Sequence, residues 1–309
     1  MGEGRTDEVC ACCGIAGVDD IKLKDCDGGC DLVKYCGDEC QENNREHHEE
    51  ECKRRKAELH DKELFTQPDE SCLGDCPICC LPLSLDMNKS RVMGCCCKMI
   101  CNGCDYANIK REIEGGLELR CAFCREPMPN SEEEADKYVM KRIEEHDDPV
   151  AMTRVGKQHQ KEGDYGKALG YWTKAAELGD VDAHFWVGSL YYKGQGVEKD
   201  ITKAVYHLEQ AAIGGHSDAR VLLADYEEVN GRLERAVKHL LIAANLGDDT
   251  PLIFIKMLVE AGRISEEDYA AALRGYQAAV NETKSAEREK AEVYDAALMQ
   301  AEKFRQREL

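Results

Sequence analysis

The chain has 309 residues, a formal charge of −20 and nineteen cysteines. Such an acidic chain excludes phosphate backbones and anionic membranes as main partners, because both select clustered Lys and Arg. No stretch approaches the roughly 18 apolar residues that a bilayer span needs. Every cysteine lies between Cys10 and Cys124, so a cysteine-rich front precedes a cysteine-free back. The front spaces its thiols as CxxC and CxxxC pairs, which is how tetrahedral zinc is held. The opening MGEGRTDEV carries no apolar run, so no secretory leader is expected and the thiols belong in a reducing, intracellular setting, cytoplasmic or nuclear. The expected fold class is small zinc-stabilised modules followed by an all-α helical-repeat solenoid.

The first module spans residues 10–52. Its candidate ligands are Cys10, Cys13, Cys26, Cys30, Cys36, Cys40, His48 and Cys52, eight groups for two zinc ions. Gly14, Gly28, Gly29 and Gly37 stand where tight metal-binding turns need a permissive backbone. The CxxC opening, the Tyr35-Cys36 pair with Cys40 four residues on, and the HisxxxCys ending resemble the MYND finger. That resemblance implies interleaved ligation, with Cys10, Cys13, Cys36 and Cys40 on one zinc and Cys26, Cys30, His48 and Cys52 on the other. MYND modules bind short proline-rich peptides, but the aromatic residue usual three places before the ligand histidine is here Arg45, which weakens that expectation. Some forty residues are too few for an apolar core, so metal supplies the folding energy.

Residues 53–71 are expected to form a helix and linker. Lys53, Arg54, Arg55 and Lys56 read as a solvated helix face, and Pro68 marks the end of helical sequence. Residues 72–128 then carry a second framework, in which CPIC supplies Cys76 and Cys79, CNGC supplies Cys101 and Cys104, and CAFC supplies Cys121 and Cys124. The triplet Cys95, Cys96, Cys97 offers three thiols for two places; the one-residue gap favours Cys95 with Cys97, and Cys96 is the alternative. This pattern resembles a RING finger with cysteine in place of the usual histidine. Cross-bracing of that family implies one zinc on Cys76, Cys79, Cys101 and Cys104 and a second on the triplet pair with Cys121 and Cys124. It further implies that Ile78 and Pro127 contact a ubiquitin-conjugating enzyme, and that Arg125, at the linchpin position, bridges that enzyme and its ubiquitin. Cys12, Cys72, Cys80 and Cys96 are left over, and none has an evident base beside it for covalent catalysis.

An acidic linker is expected over residues 129–148. Residues 149–280 then repeat with a period of roughly 32 to 36. KALGYWTKAAELG, KAVYHLEQAAIGG and RAVKHLLIAANLG align on Ala168, Ala204 and Ala236, each followed by an alanine pair and then by Gly179, Gly215 or Gly247. Small residues at helical spacing let helices approach closely, and the glycines suit left-handed caps. Ala271 with Ala278 and Ala279 gives a fainter fourth copy. Gly188, Tyr191, Gly194, Gly196, Val197, Asp200, Lys203 and Ala204 resemble the Sel-one-like repeat, a relative of the tetratricopeptide repeat, which implies stacked helical hairpins offering a surface for peptides or proteins. Tyr171, Trp172, Phe185, Trp186 and Tyr206 are expected mainly in the core between helices. Residues 281–309 are expected to be a capping helix with Val293, Ala297, Ala301 and Phe304 as its buried stripe.

These resemblances imply a RING-type ubiquitin ligase or ligase subunit, with four zinc ions, that recruits a ubiquitin-conjugating enzyme and selects a protein substrate on its repeats. A non-enzymatic zinc-binding adaptor is the alternative. A MYND-linked methyltransferase fails on length, because the repeats fill the space a catalytic domain needs.

Overall fold

The computed structural model describes residues 9–13 and 22–307, with side chains through residue 297. Gly14, Ala301 and Phe304 therefore lie outside the residues or side chains described. The chain divides after Thr66 into two compact units.

In the first unit, β1 (Lys24–Asp25) and β2 (Lys34–Tyr35) pair antiparallel, and α1 (Asp38–Leu64) follows at once. The helix thus begins inside the finger and carries Cys40, His48 and Cys52, rather than starting after residue 52 as expected. The spacing explains this: Cys40, His48 and Cys52 fall eight and four residues apart, on one face of a helix. Along the same helix the basic run is solvated and paired, with Lys53 2.6 Å from Glu49 and Arg55 2.9 Å from Asp31. Among the described residues of the finger, Tyr35 packs among Cys10, Cys26 and Cys30, and Leu64 is buried at the far end of α1.

The second unit opens with the other finger. After a 3-10 turn at Met87–Lys89, β3 (Ser90–Val92) and β4 (Met99–Cys101) form a hairpin that leads into α2 (Asn102–Glu114). Leu83, Met93 and Ile100 fill its interior among the cysteines. The segment expected as an acidic linker contains a helix, α3 (Glu132–His146), started by the Ser131 side chain. Its acidic residues mask a stripe at helical spacing: Ala135, Val139 and Ile143, of which Val139 and Ile143 pack with Cys97 and Ala151. The helix therefore joins the finger to the repeats.

Eight helices follow as four hairpins: α4 (Pro149–Lys161) with α5 (Tyr165–Glu177), α6 (Val181–Lys193) with α7 (Ile201–Ile213), α8 (Ser217–Val229) with α9 (Leu233–Asn245), and α10 (Thr250–Glu260) with α11 (Glu266–Glu282). Asp164, Asp180 and Asp200 each cap the helix that follows by accepting its third backbone N–H. The repeated alanines of the first three pairs are all buried, and Gly179, Gly215 and Gly247 have φ of 88, 82 and 92°, a conformation that side chains disfavour. The fourth copy departs from its expected register. Ala272 is buried and Ala278 exposed, and bare Gly275 faces Asn245 of α9, where a Cβ would clash.

Trp172 is fully buried, donates from Nε1 to the Thr153 carbonyl at 3.1 Å and stacks on Trp186 at 5.3 Å. Tyr171 and Trp186 pack around this cluster and Phe185 stacks on His216, whereas Tyr206 stands largely in solvent.

Two segments tie the finger to the array. The extended chain before the finger crosses successive inter-repeat turns: Gln67 accepts from Asn245 Nδ2 at 3.1 Å, and the Cys72 N–H donates to the Gly215 carbonyl at 3.1 Å. Burial beside Asp182, Asp218 and Asp180 pushes the Cys72 thiol up to about 12. The last helix, α12 (Ala286–Arg307), lies against α2, with Tyr294 5.0 Å from Tyr106. Of the stripe expected on it, the two described side chains, Val293 and Ala297, are both exposed. Val293 is 73% exposed, and among the described residues of α12 the buried positions are Arg288 and Ala291, because the helix docks on the polar shoulder of the finger.

Candidate metal centres

Four groups of side chains converge tightly enough to hold a metal ion. Cys10, Cys13, Cys36 and Cys40 form one and Cys26, Cys30, His48 and Cys52 a second; Cys76, Cys79, Cys101 and Cys104 form a third and Cys95, Cys96, Cys121 and Cys124 a fourth. Within each group the donor atoms lie within 4.8 Å of one another. Neighbouring sulfurs are 3.5 Å apart for Cys36 and Cys40, 3.8 Å for Cys26 and Cys52, 3.8 Å for Cys79 and Cys101 and 3.4 Å for Cys95 and Cys124. Zinc–sulfur bonds of about 2.3 Å in a tetrahedron place ligand sulfurs about 3.8 Å apart, so the donor sets fit zinc in number, chemistry and spacing. His48 Nε2 approaches Cys30 Sγ at 3.1 Å. All nineteen cysteines are free thiols.

Crowding gives the thiols unequal acidity. The Cys13 backbone N–H holds Cys10 down at about 6, and hydrogen bonding from Cys101 holds Cys76 at about 4, while burial pushes Cys52 and Cys104 up to about 12. Four adjacent thiols cannot all ionise against one another. A divalent cation at the centre removes that conflict, since coordination deprotonates a thiol outright.

The second finger builds three copies of one six-residue turn, and this decides the cysteine triplet. In residues 76–81, 93–98 and 121–126 the first N–H donates to the sixth carbonyl, at 2.9, 2.8 and 2.8 Å. The fifth N–H donates back to the first carbonyl, and the fifth residue is left-handed: Cys80 at φ 53°, Cys97 at 52° and Arg125 at 65°. In the two CxxC turns the first and fourth seats face the metal position and the fifth turns away. In the middle turn Met93 fills the first seat, Cys96 the fourth and Cys97 the fifth. The structure accordingly groups Cys96 with Cys95, and Cys97 packs instead against Val139 and Ala151. The preference for Cys97 is corrected to Cys96, and the signal was available by aligning MGCCCK with CPICCL and CAFCRE.

The remaining singled-out residues surround this finger. Ile78, in the third seat of its turn, is 42% exposed; Pro127 is half-buried and bridges to Arg120. Arg125 is anchored by Nη1 to Asn108 Oδ1 at 2.7 Å and by Nη2 to Glu112 Oε1 at 2.5 Å. Glu112, fully buried on α2, also accepts the Arg120 N–H at 2.8 Å. That N–H, then the Arg125 guanidinium, hold its carboxyl below the usual glutamate range against the opposing effect of burial. Sequence reasoning missed Asn108 and Glu112, although their four-residue separation places both on one helix face. Glu112→Ala is expected to destabilise the finger by about 3–5 kcal/mol, because it strands a buried N–H and a guanidinium. Hydrogen exchange at the Arg120 amide checks this; unchanged exchange there sinks the assignment.

Comparison with known proteins places the back part firmly. The Sel1 repeat family matches residues 149–180, 181–216 and 228–248, leaving both cysteine-rich fingers outside the match. The mouse protein "DAP3-binding cell death enhancer 1" is 26% identical over 170 residues, covering 42% of this chain and 33% of its own. The rat protein of that name is 34% identical over 168 residues, 41% of this chain and 33% of its own. A "Putative beta-lactamase HcpC" of Helicobacter pylori is 39% identical over 56 residues, 18% of this chain and 19% of its own. The chain thus spans about a third of the rodent relatives it matches. A Sel1 repeat protein from Oxalobacter formigenes, solved by crystallography, aligns at 25% identity and a TM-score of 0.42, covering 59% of this chain and 72% of that one. Among the described residues no helix is long and apolar enough to cross a membrane.

Proposed function

We propose that this protein is a RING-type ubiquitin-protein ligase, or a subunit of one, whose Sel1 repeats select a protein substrate. The observation that carries the reading is the cross-braced arrangement of Cys76, Cys79, Cys101 and Cys104 against Cys95, Cys96, Cys121 and Cys124, with Ile78 held in solvent between two of the donors. A conjugating enzyme would dock on Ile78 and Pro127. The finger contributes no nucleophile; it would accelerate transfer by fixing the ubiquitin thioester in an attack-ready orientation. Arg125 would supply the bridging hydrogen bonds, its planar fork already positioned by Asn108 and Glu112.

Substrate would bind the repeats away from the inter-repeat turns that residues 67–72 already line. The first finger, with Arg45 where an aromatic wall is usual, would serve as a zinc-held protein contact. The adaptor reading has one specific support, which is that Arg125 spends both its terminal nitrogens inside the finger.

An autoubiquitination assay over a panel of conjugating enzymes separates the two. Ile78→Ala is expected to weaken enzyme binding about tenfold, the scale of losing one buried aliphatic contact. Arg125→Ala is expected to slow ubiquitin discharge more than it weakens binding. A wild-type protein inactive with every enzyme of the panel, yet still capturing protein partners, establishes the adaptor.

A further inference from the structure

Arg288 is a buried cation whose hydrogen-bond partners leave its charge unanswered. It sits in the first turn of α12 at 9% exposure, and its Nη1 donates to the carbonyls of Pro82 at 2.6 Å and Thr283 at 2.7 Å. Nη2 donates to the Leu81 carbonyl at 3.1 Å and to Cys79 Sγ at 3.5 Å, and Nε has no partner. Among the described residues no carboxylate lies within 4.0 Å of this guanidinium, although Asp and Glu outnumber Lys and Arg by 61 to 41 in the chain. A buried guanidinium whose oxygen partners are all neutral carbonyls is costly, because carbonyl dipoles do not replace a counter-charge.

Through Cys79 it meets the donor set Cys76, Cys79, Cys101 and Cys104. Four thiolates around one divalent ion carry two net negative charges, which a neighbouring guanidinium offsets. The approach is built into both partners. Gly103, between two of the donors, has no side chain where a Cβ would lie 2.8 Å from the Arg288 backbone nitrogen. Lys89 pairs with Glu292 at 2.9 Å and Asn102 donates to Asp295 at 3.2 Å, so the finger and α12 are joined at two further points.

We propose that Arg288 is the outer counter-ion of the zinc centre formed by Cys76, Cys79, Cys101 and Cys104, coupling the C-terminal helix to metal retention in the finger. The coupling is reciprocal: metal in the centre favours docking of α12, and docked α12 slows loss of the metal. Arg288 is a positioning residue, since it touches a ligand and not the metal. The inference rests on zinc binding by this centre and is independent of ubiquitin transfer.

The test is site-resolved alkylation of the zinc-loaded, full-length protein with N-ethylmaleimide, read cysteine by cysteine by peptide mass spectrometry. In Arg288→Met, Cys76, Cys79, Cys101 and Cys104 are expected to react about 10-fold or more faster than in the wild type, within the 10–100-fold that an outer-shell partner is worth to a metal site. Cys95, Cys96, Cys121 and Cys124, the internal reference, are expected to change little. Arg288→Lys keeps the charge while losing most of the carbonyl bonds, and is expected to recover much of the protection. If Met and Lys accelerate these four thiols equally, or if both centres accelerate together, Arg288 is a carbonyl clamp and the proposal is overturned. If the four thiols of the wild type react as fast with zinc as after chelation, the centre binds no metal, and the inference fails with the zinc assignment whether or not the protein transfers ubiquitin.

Discussion

Native mass spectrometry of the untreated protein is expected to count four zinc ions, and a strong chelator is expected to unfold both fingers while the repeat helices persist. The expected loss is large because apparent binding free energies at structural zinc sites run to roughly 10–16 kcal/mol, more than a module of this size gains from its core. In the first finger the cluster of buried residues is Cys10, Cys26, Cys30 and Tyr35, three of them candidate ligands, so removing the metal removes most of what holds that cluster together. The second finger keeps Leu83, Met93 and Ile100, still too little to stand without its two centres. The clusters around Trp172 and around Leu240 contain no cysteine. Circular dichroism with peptide-resolved hydrogen exchange distinguishes the outcomes. Protection lost in residues 22–128 and kept in α4 to α11 is the expected pattern; a general collapse of helical signal contradicts it.

Trp172→Ala is expected to be the most damaging single substitution in the repeats, at about 3–5 kcal/mol. The indole is fully buried, its N–H is satisfied by Thr153, and it stacks on Trp186 across the junction of the first two hairpins. Gly156 approaches it so closely that a Cβ there would lie 2.4 Å from the indole nitrogen. Truncation therefore leaves a cavity that rigid flanking helices cannot close. Stability in an array of repeats is nearly a sum of local and nearest-neighbour contributions, so the loss should concentrate in α4 to α7. Chemical denaturation followed by exchange over those helices measures it. A cost below about 1 kcal/mol, or a loss spread evenly to α11, contradicts this packing account.

The comparison between sequence and structure is clearest at particular positions. The alanine pairs and the glycines at 179, 215 and 247 announced the hairpins, because helix contact and a left-handed cap each restrict a site to very few residue types. Spacing likewise paired the thiols of the CxxC motifs. It misjudged the triplet, where three cysteines satisfy any spacing rule and only the hydrogen-bonded turn shows which side chain faces inward. In α3, counting charge concealed Ala135, Val139 and Ile143, which needed helical phase to be seen. In the described part of α12 the apolar stripe was the wrong guide, since the docking surface offers carbonyls and a cysteine sulfur, and a guanidinium answers those better than a valine does.

By itself the sequence determined the local features of this protein: the paired thiols of the CxxC motifs, the alanine and glycine signature of the first three hairpins, and the period of the repeats. Each follows from chemistry confined to a few neighbouring residues. Tertiary structure decided everything that depends on distant groups meeting: Arg125 on Glu112, residues 67–72 across the inter-repeat turns, and Arg288 beside a thiol 209 residues away. Such contacts leave no periodic trace, because a single hydrogen-bonded pair constrains two positions and nothing between them. The fold brings them together only after the fingers and hairpins have formed.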